Sequence, residues 1–224
     1  MTIRVVVADD EELLRTGFRL VIDSWDDLAV VGEAGDGRHA VQLIERTRPD
    51  VALMDIRMPG MDGIEATRQI VASGSTARVL MLTTFDEDEH VLAALRAGAS
   101  GFLLKEMEST ELVAAIRAAV RGDTLLAPSL TRRLLERFLR TASEGRTTSP
   151  ALSSLSARET EVLTLIGQAL SNAEIARRLS LSEATVRRHV AAVLRKLGLR
   201  DRVQAVVAAY DHGLVRPRVK WVPQ

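Results

Sequence analysis

Five polar side chains carry the chemistry in the first half of this sequence. Asp9 and Asp10 follow one short apolar run, Asp55 ends a second, and Thr83 and Lys105 end two more. Carboxylates gathered at one place repel one another unless a hard cation sits among them, and an all-oxygen donor set suits Mg²⁺, which keeps part of its water and accepts phosphate oxygens. A hydroxyl such as Thr83 can donate to a new phosphoryl oxygen, and an ammonium such as Lys105 can pair with its charge. The pattern therefore suits metal-assisted phosphoryl chemistry on a carboxylate. A single acid at a strand end is usually a solvated loop residue; five polar groups in register point to a site.

Apolar runs rich in β-branched residues recur at 3–8, 29–34, 51–56, 78–84 and 101–105, and segments of helical period lie between them, such as Leu13, Leu14, Phe18 and Val21. A helix is expected over Ser109–Arg121, with Ser109 or Thr110 as its cap and Gly122 just past its end. This alternation predicts βαβ crossovers and an α/β, doubly wound, five-stranded parallel sheet, whose ligand site lies outside the carboxyl ends of the strands. Gly32, Gly35 and Gly37 do not fit a dinucleotide fingerprint and read as a glycine-rich turn after the second strand.

The 224 residues carry a formal net charge of zero, but unevenly: 13 basic and 22 acidic residues in 1–124, 5 and 2 in 125–150, and 12 and 6 in 151–224. An acidic, cation-using module followed by a module that meets a polyanion would show this asymmetry. Cysteine is absent, which removes disulfides and thiolate metal sites. The amino terminus passes from a short apolar run directly into Asp9 and Asp10, unlike a signal peptide or a membrane span, so a cytoplasmic protein with no membrane partner is expected.

Beyond a basic amphipathic stretch at 129–140 and a Ser/Thr-rich segment at 141–150, only helical periods remain. Ser156-Ala-Arg-Glu159 and Ser171-Asn-Ala-Glu174 both have capping-box spacing ahead of an apolar run, and Ser182 caps a further helix that stops at Gly198. One face of that helix is Val186, Val190, Val193, Leu194 and Leu197; the other is Ala184, Arg188, Ala191 and Arg195, flanked by Arg187. A small all-α domain is expected, with a helix-turn-helix whose second helix offers small and basic residues to a major groove. The final helix, 201–212, places Val203, Val206, Val207 and Tyr210 on one stripe, more apolar surface than a small domain always buries internally.

These residues resemble two known families. The segment Met54-Asp55-Ile56-Arg57-Met58-Pro59-Gly60-Met61-Asp62-Gly63, with Asp9-Asp10, Thr83 and Ala97-Gly98-Ala99-Ser100-Gly101-Phe102-Leu103-Leu104-Lys105, resembles the flavodoxin-like receiver domain of response regulators. That resemblance implies Asp55 as phosphoacceptor, and Asp10, Asp55 and the backbone carbonyl of Arg57 as Mg²⁺ ligands with Asp9 in support. It implies Thr83 and Lys105 as sensors of the phosphoryl group, and Phe102 at the position of a switching tyrosine. Leu155-Ser156-Ala157-Arg158-Glu159, Ser171-Asn172-Ala173-Glu174-Ile175-Ala176, Thr185-Val186-Arg187-Arg188-His189-Val190 and Lys196-Leu197-Gly198 resemble the LuxR-type DNA-binding domain, and the pair together is the NarL/FixJ arrangement.

The second resemblance places a helix-turn-helix at about 172–191, with Arg187 and Arg188 reading the groove, Thr185 and Lys196 contacting phosphates, and the last helix forming a homodimer. The implied partners are a sensor histidine kinase and a double-stranded DNA operator, an inverted repeat if the dimer is two-fold symmetric. The domains are expected at 1–124 (receiver), 125–147 (linker, partly helical), 148–214 (DNA-binding) and 215–224 (tail). Two other readings stand beside a phosphorylation-controlled regulator: DNA binding independent of phosphorylation, and an aspartyl-phosphate phosphohydrolase. The hydrolase pattern needs a second Asp two residues after the first as general acid, and Arg57 stands there. The protein is therefore not expected to be an enzyme.

Overall fold

The computed structural model describes residues 2–84, 90–121 and 150–215. The chain divides into two compact units, residues 1–126 and 127–224. The expected linker helix at 129–140, the stop at Gly122 and the tail beyond 215 lie outside the described residues.

The first unit alternates β1 (Ile3–Ala8), α1 (Glu12–Asp23), β2 (Leu28–Ala34), α2 (Gly37–Thr47), β3 (Val51–Asp55), α3 (Gly63–Ala72), β4 (Arg78–Thr83), α4 (Val91–Ala97), β5 (Gly101–Leu104) and α5 (Ser109–Arg121). All neighbouring strands pair in parallel in the order β2-β1-β3-β4-β5. This is the expected doubly wound sheet. Every residue of β3 is buried, as strands covered on both faces require.

Strand alternation sends Val5, Val7, Leu53, Leu80, Leu82 and Leu103 into one core with Phe18 and Ile22 of α1 and Leu112, Val113 and Ile116 of α5. The other face meets α2 and α3: the Thr67 hydroxyl of α3 lies 3.5 Å from the sulfur of Met81, the register partner of Phe102. Asp36 and Asp62 cap α2 and α3 by accepting from the backbone N–H groups of His39 and Glu65. Three strands end one residue before the sequence runs suggest, at Asp55, Thr83 and Leu104. Gly32 lies inside β2, not in a turn; a Cβ there would come within 2.8 Å of the Leu43 methyls, so its absence lets α2 settle closely on the sheet. Ser109 and Thr110 stand within the first turn of α5 instead of preceding it.

The second unit has a 3₁₀ turn (Pro150–Ser154), then α6 (Ala157–Gly167), α7 (Asn172–Leu179), α8 (Glu183–Leu197) and α9 (Arg202–Asp211). Both capping boxes form in full, Ser156 with Glu159 and Ser171 with Glu174, so the backbone donors at two helix entries are satisfied by residues three apart. Ser180 ends α7 in the left-handed region at φ 54°, and the Leu181 N–H donates to the Ala176 carbonyl at 2.9 Å, which closes the tight turn into α8. A Cβ on Gly167 would stand 2.6 Å from the Ala209 methyl, so α6 and α9 pack at very short range. No helix among the described residues is long and apolar enough to cross a membrane.

Candidate phosphoryl site and nucleic-acid interface

β1 delivers Asp9 and Asp10, β3 delivers Asp55, β4 delivers Thr83, and Lys105 follows β5, tied back by donating its N–H to the Thr83 carbonyl at 3.0 Å. The carboxylates of Asp9, Asp10 and Asp55 converge so that one oxygen of each lies within 4.8 Å of the others. Asp9 is wholly buried and Asp55 is 3% exposed, while Asp10 is exposed. The Lys105 ammonium bridges the two buried acids, 2.9 Å from Asp9 Oδ2 and 3.0 Å from Asp55 Oδ1, with Glu11 farther away at 3.8 Å. Burial pulls the Lys105 pKa down, but the hydrogen bonds and charges of Asp9 and Asp55 outweigh it and hold the pKa above its ordinary value. Lys105 is thus a fixed cation between two buried carboxylates, with the exposed Asp10 clustered beside them.

The surrounding backbone is built for this geometry. The Glu11 N–H donates to Asp9 Oδ1 at 2.9 Å, and Arg15 donates to the Asp9 carbonyl at 2.7 Å while its Nε lies 3.8 Å from Glu33. The Gly63 N–H donates to the Ile56 carbonyl at 2.9 Å, and a Cβ at Gly63 would fall 1.8 Å from the Asp55 carbonyl oxygen. Only glycine allows α3 to begin so close behind Asp55. Thr83 is buried and its hydroxyl donates to the Thr84 carbonyl at 3.0 Å; Phe102 is buried, and Arg57 is exposed just past Asp55. The contributions of Arg15 and Gly63 are not signalled in the sequence beyond the glycine itself, because their partners are brought up by the fold.

In the second unit, α8 buries Val186 and Val193 and exposes Ala184, Arg187, Arg188, Ala191 and Arg195, as its two faces predict. Ser182 caps the helix by accepting from the Thr185 N–H at 3.2 Å, and the two hydroxyls lie 2.9 Å apart. Arg188 donates to Thr185 Oγ1 at 3.3 Å, and Arg187 lies 4.0 Å from Glu183, one turn earlier. Loose contacts of this kind leave exposed arginines available to an anionic partner.

Two further features of this unit have partners inside it. Lys196 already has a partner: its ammonium lies 2.7 Å from Glu159 Oε2, joining α8 to the capping box of α6. That hydrogen bond and those from Ser156 hold the Glu159 pKa down at about 2. Lys196 is therefore a tie between α8 and α6 as well as a surface cation, its side chain 35% exposed. The stripe of α9 is likewise not surplus surface: Val203, Val206 and Val207 are each no more than 6% exposed, because α9 lies against α6, and only Tyr210 is half-buried.

The residues 5–117 match the model of the response regulator receiver domain, and 153–209 match that of the bacterial regulatory proteins of the luxR family. The chain belongs to the LuxR-family response regulators. It is 42% identical over 214 residues to the transcriptional regulatory protein YxjL of Bacillus subtilis (strain 168), covering 96% of this chain and 98% of that one. The transcriptional regulatory protein LiaR of the same strain is 40% identical, with 95% and 99% covered. Among solved structures, the response regulator ChrA of a heme-sensing two-component system is 40% identical with a TM-score of 0.52, covering 96% of this chain and 99% of ChrA. A receiver and a LuxR-type helix-turn-helix in one chain make this a DNA-binding two-component response regulator, and a receiver implies a kinase partner.

Proposed function

We propose that the protein is a phosphorylation-controlled transcriptional regulator in which a sensor histidine kinase phosphorylates Asp55. The single observation that carries this reading is the buried Asp9–Lys105–Asp55 bridge at the carboxyl end of the sheet, in a chain whose other unit exposes Arg187 and Arg188 on a helix-turn-helix. A carboxylate oxygen of Asp55 attacks the phosphorus of a phosphohistidine; the P–N bond breaks, the imidazole leaves and an acyl phosphate forms. Lys105, held charged, pairs with the added negative charge. Thr83 redirects its hydroxyl from the Thr84 carbonyl to a phosphoryl oxygen, and the buried Phe102 of β5 changes its packing in response.

The residues fit a divalent cation: three clustered carboxylates, all oxygen donors, converge where Lys105 pairs with the two buried ones. Asp10, Asp55 and the Arg57 backbone carbonyl would hold Mg²⁺ with Asp9 in support, and the ion, when bound, offsets the charge of the incoming phosphoryl oxygens. In the DNA-binding domain Arg187 and Arg188 read base edges and Thr185 faces a phosphate at the entry of α8. The active form is a cytoplasmic homodimer on an inverted repeat, with Tyr210 the outward member of the α9 stripe. The domains take the limits 1–124, 125–147, 148–214 and 215–224.

The test is duplex selection and footprinting with wild type and Asp55→Asn, with and without acetyl phosphate and Mg²⁺. Tighter binding on phosphorylation, absent in Asp55→Asn and protecting two inverted half-sites, is expected. Unchanged affinity would overturn the switch, and equal binding to direct repeats would overturn the symmetric dimer.

A further inference from the structure

Arg202 begins α9, yet it is 6% exposed. Its guanidinium donates to Asn172 Oδ1 at 2.9 Å and to the backbone carbonyl of Leu170, thirty and thirty-two residues earlier. Burial lowers its pKa to about 10, the nearby Glu174 carboxylate working in the opposite direction, so it stays charged at neutral pH. Removing a guanidinium from water is costly and persists where the fork of donors meets matched acceptors.

Both acceptors lie where the chain enters the helix-turn-helix. Ala169 leaves α6 in the left-handed region at φ 59°, the Leu170 N–H donates to the Leu165 carbonyl at 3.2 Å, and Asn172 is the first residue of α7. Two N–H groups of one plane, gripping residues 170 and 172 together, set the direction in which α7 departs. α7 in turn packs on α8, which carries Arg187 and Arg188. We propose that Arg202 is a positioning residue for DNA recognition: a buried cation on α9 that aims the helix-turn-helix without touching DNA. The proposal rests on the reading that the arginine face of α8 meets DNA.

The experiment uses the full chain and a duplex that the wild type selects from a random-sequence pool. Affinity and its salt dependence are measured alongside amide exchange for wild type, Arg202→Met, Arg202→Lys and Asn172→Ala. In folded Arg202→Met, affinity falls about tenfold, the scale of one lost charged hydrogen bond. The slope of affinity against salt stays at its wild-type value, and exchange quickens at residues 171–176 but not at 162–166. Arg202→Lys recovers part of the loss, because one ammonium cannot span both acceptors as a fork does. Wild-type affinity in folded Arg202→Met overturns the proposal, as does a shallower salt slope, which would make Arg202 a phosphate contact, or exchange that quickens evenly across the domain. Should Arg202→Met fail to fold, Asn172→Ala decides: a several-fold loss of affinity with local exchange at 171–176 supports the role, and no change overturns it. A wild type that enriches no duplex overturns the DNA-reading face itself; enrichment matched by every variant overturns only the role of Arg202.

Discussion

Among the described residues two bridges join lysine to buried carboxylate, and they are balanced differently. In the receiver, Lys105 lies between Asp9 and Asp55, with Asp10 beside them and Glu11 at the rim, so several acids gather about one lysine. In the DNA-binding domain, Lys196 meets Glu159 alone, and Ser156 supplies the remaining hydrogen bonds to that carboxylate. Closed pairs of the second kind hold helices together. A site where several acids gather in a buried setting is poised to take up a cation and change state. A lysine bridge is therefore informative through the charges gathered around it.

The largest expected effect separates the two carboxylates. Asp55→Asn takes phosphate incorporation from acetyl phosphate to background, while Glu159→Gln leaves it at the wild-type level; quantifying the phosphorylated species on a phosphate-affinity gel checks both. Gly63→Ala comes next. Its methyl would meet the Asp55 carbonyl oxygen at 1.8 Å, so the start of α3 must move, costing roughly 3 kcal/mol as overpacking of a tight site does. Urea unfolding of the variant measures that cost, and slower phosphorylation should accompany it.

On the DNA side, Arg187→Ala should cost about 1–3 kcal/mol of discrimination between the selected duplex and a mismatched one. Lys196→Met should keep the wild-type salt slope in fluorescence anisotropy, because its charge is turned toward Glu159. A slope shallower by about one unit would return Lys196 to the phosphate contacts.

The smallest effect is a pH dependence. The Glu159 pKa is about 2 in the fold against 4.5 for the free side chain, so its contribution to stability is fully present above about 4.5 and is lost as pH falls toward 2. Thermal unfolding of wild type against Lys196→Met across that range should show the two curves converging as Glu159 protonates. Curves that stay equally separated down to pH 2 would mean that the lysine acts through packing alone.

Much of this was legible along the chain, and the boundary has a physical cause. Strand runs, the order of acids at strand ends, the two capping boxes and the faces of α8 depend on residues one to four positions apart, a range over which period and side-chain chemistry act directly. The apolar stripe of α9 was visible too, but its destination was not: periodicity reports that Val203, Val206 and Val207 share a face, and α6 decides that this face is spent inside the domain. Likewise Lys196 reads as a surface cation alone until the fold brings up Glu159 from 37 residues away.

The sequence by itself determined the sheet, the helices and the residue types available at the phosphoryl site, because those follow from local preference and alternation. Only the tertiary structure decided which charges meet which partners. It set Lys105 between Asp9 and Asp55, paired Lys196 with Glu159, and buried Arg202 against Leu170 and Asn172. The energy of a charge depends on its burial and on partners that sequence distance does not reveal.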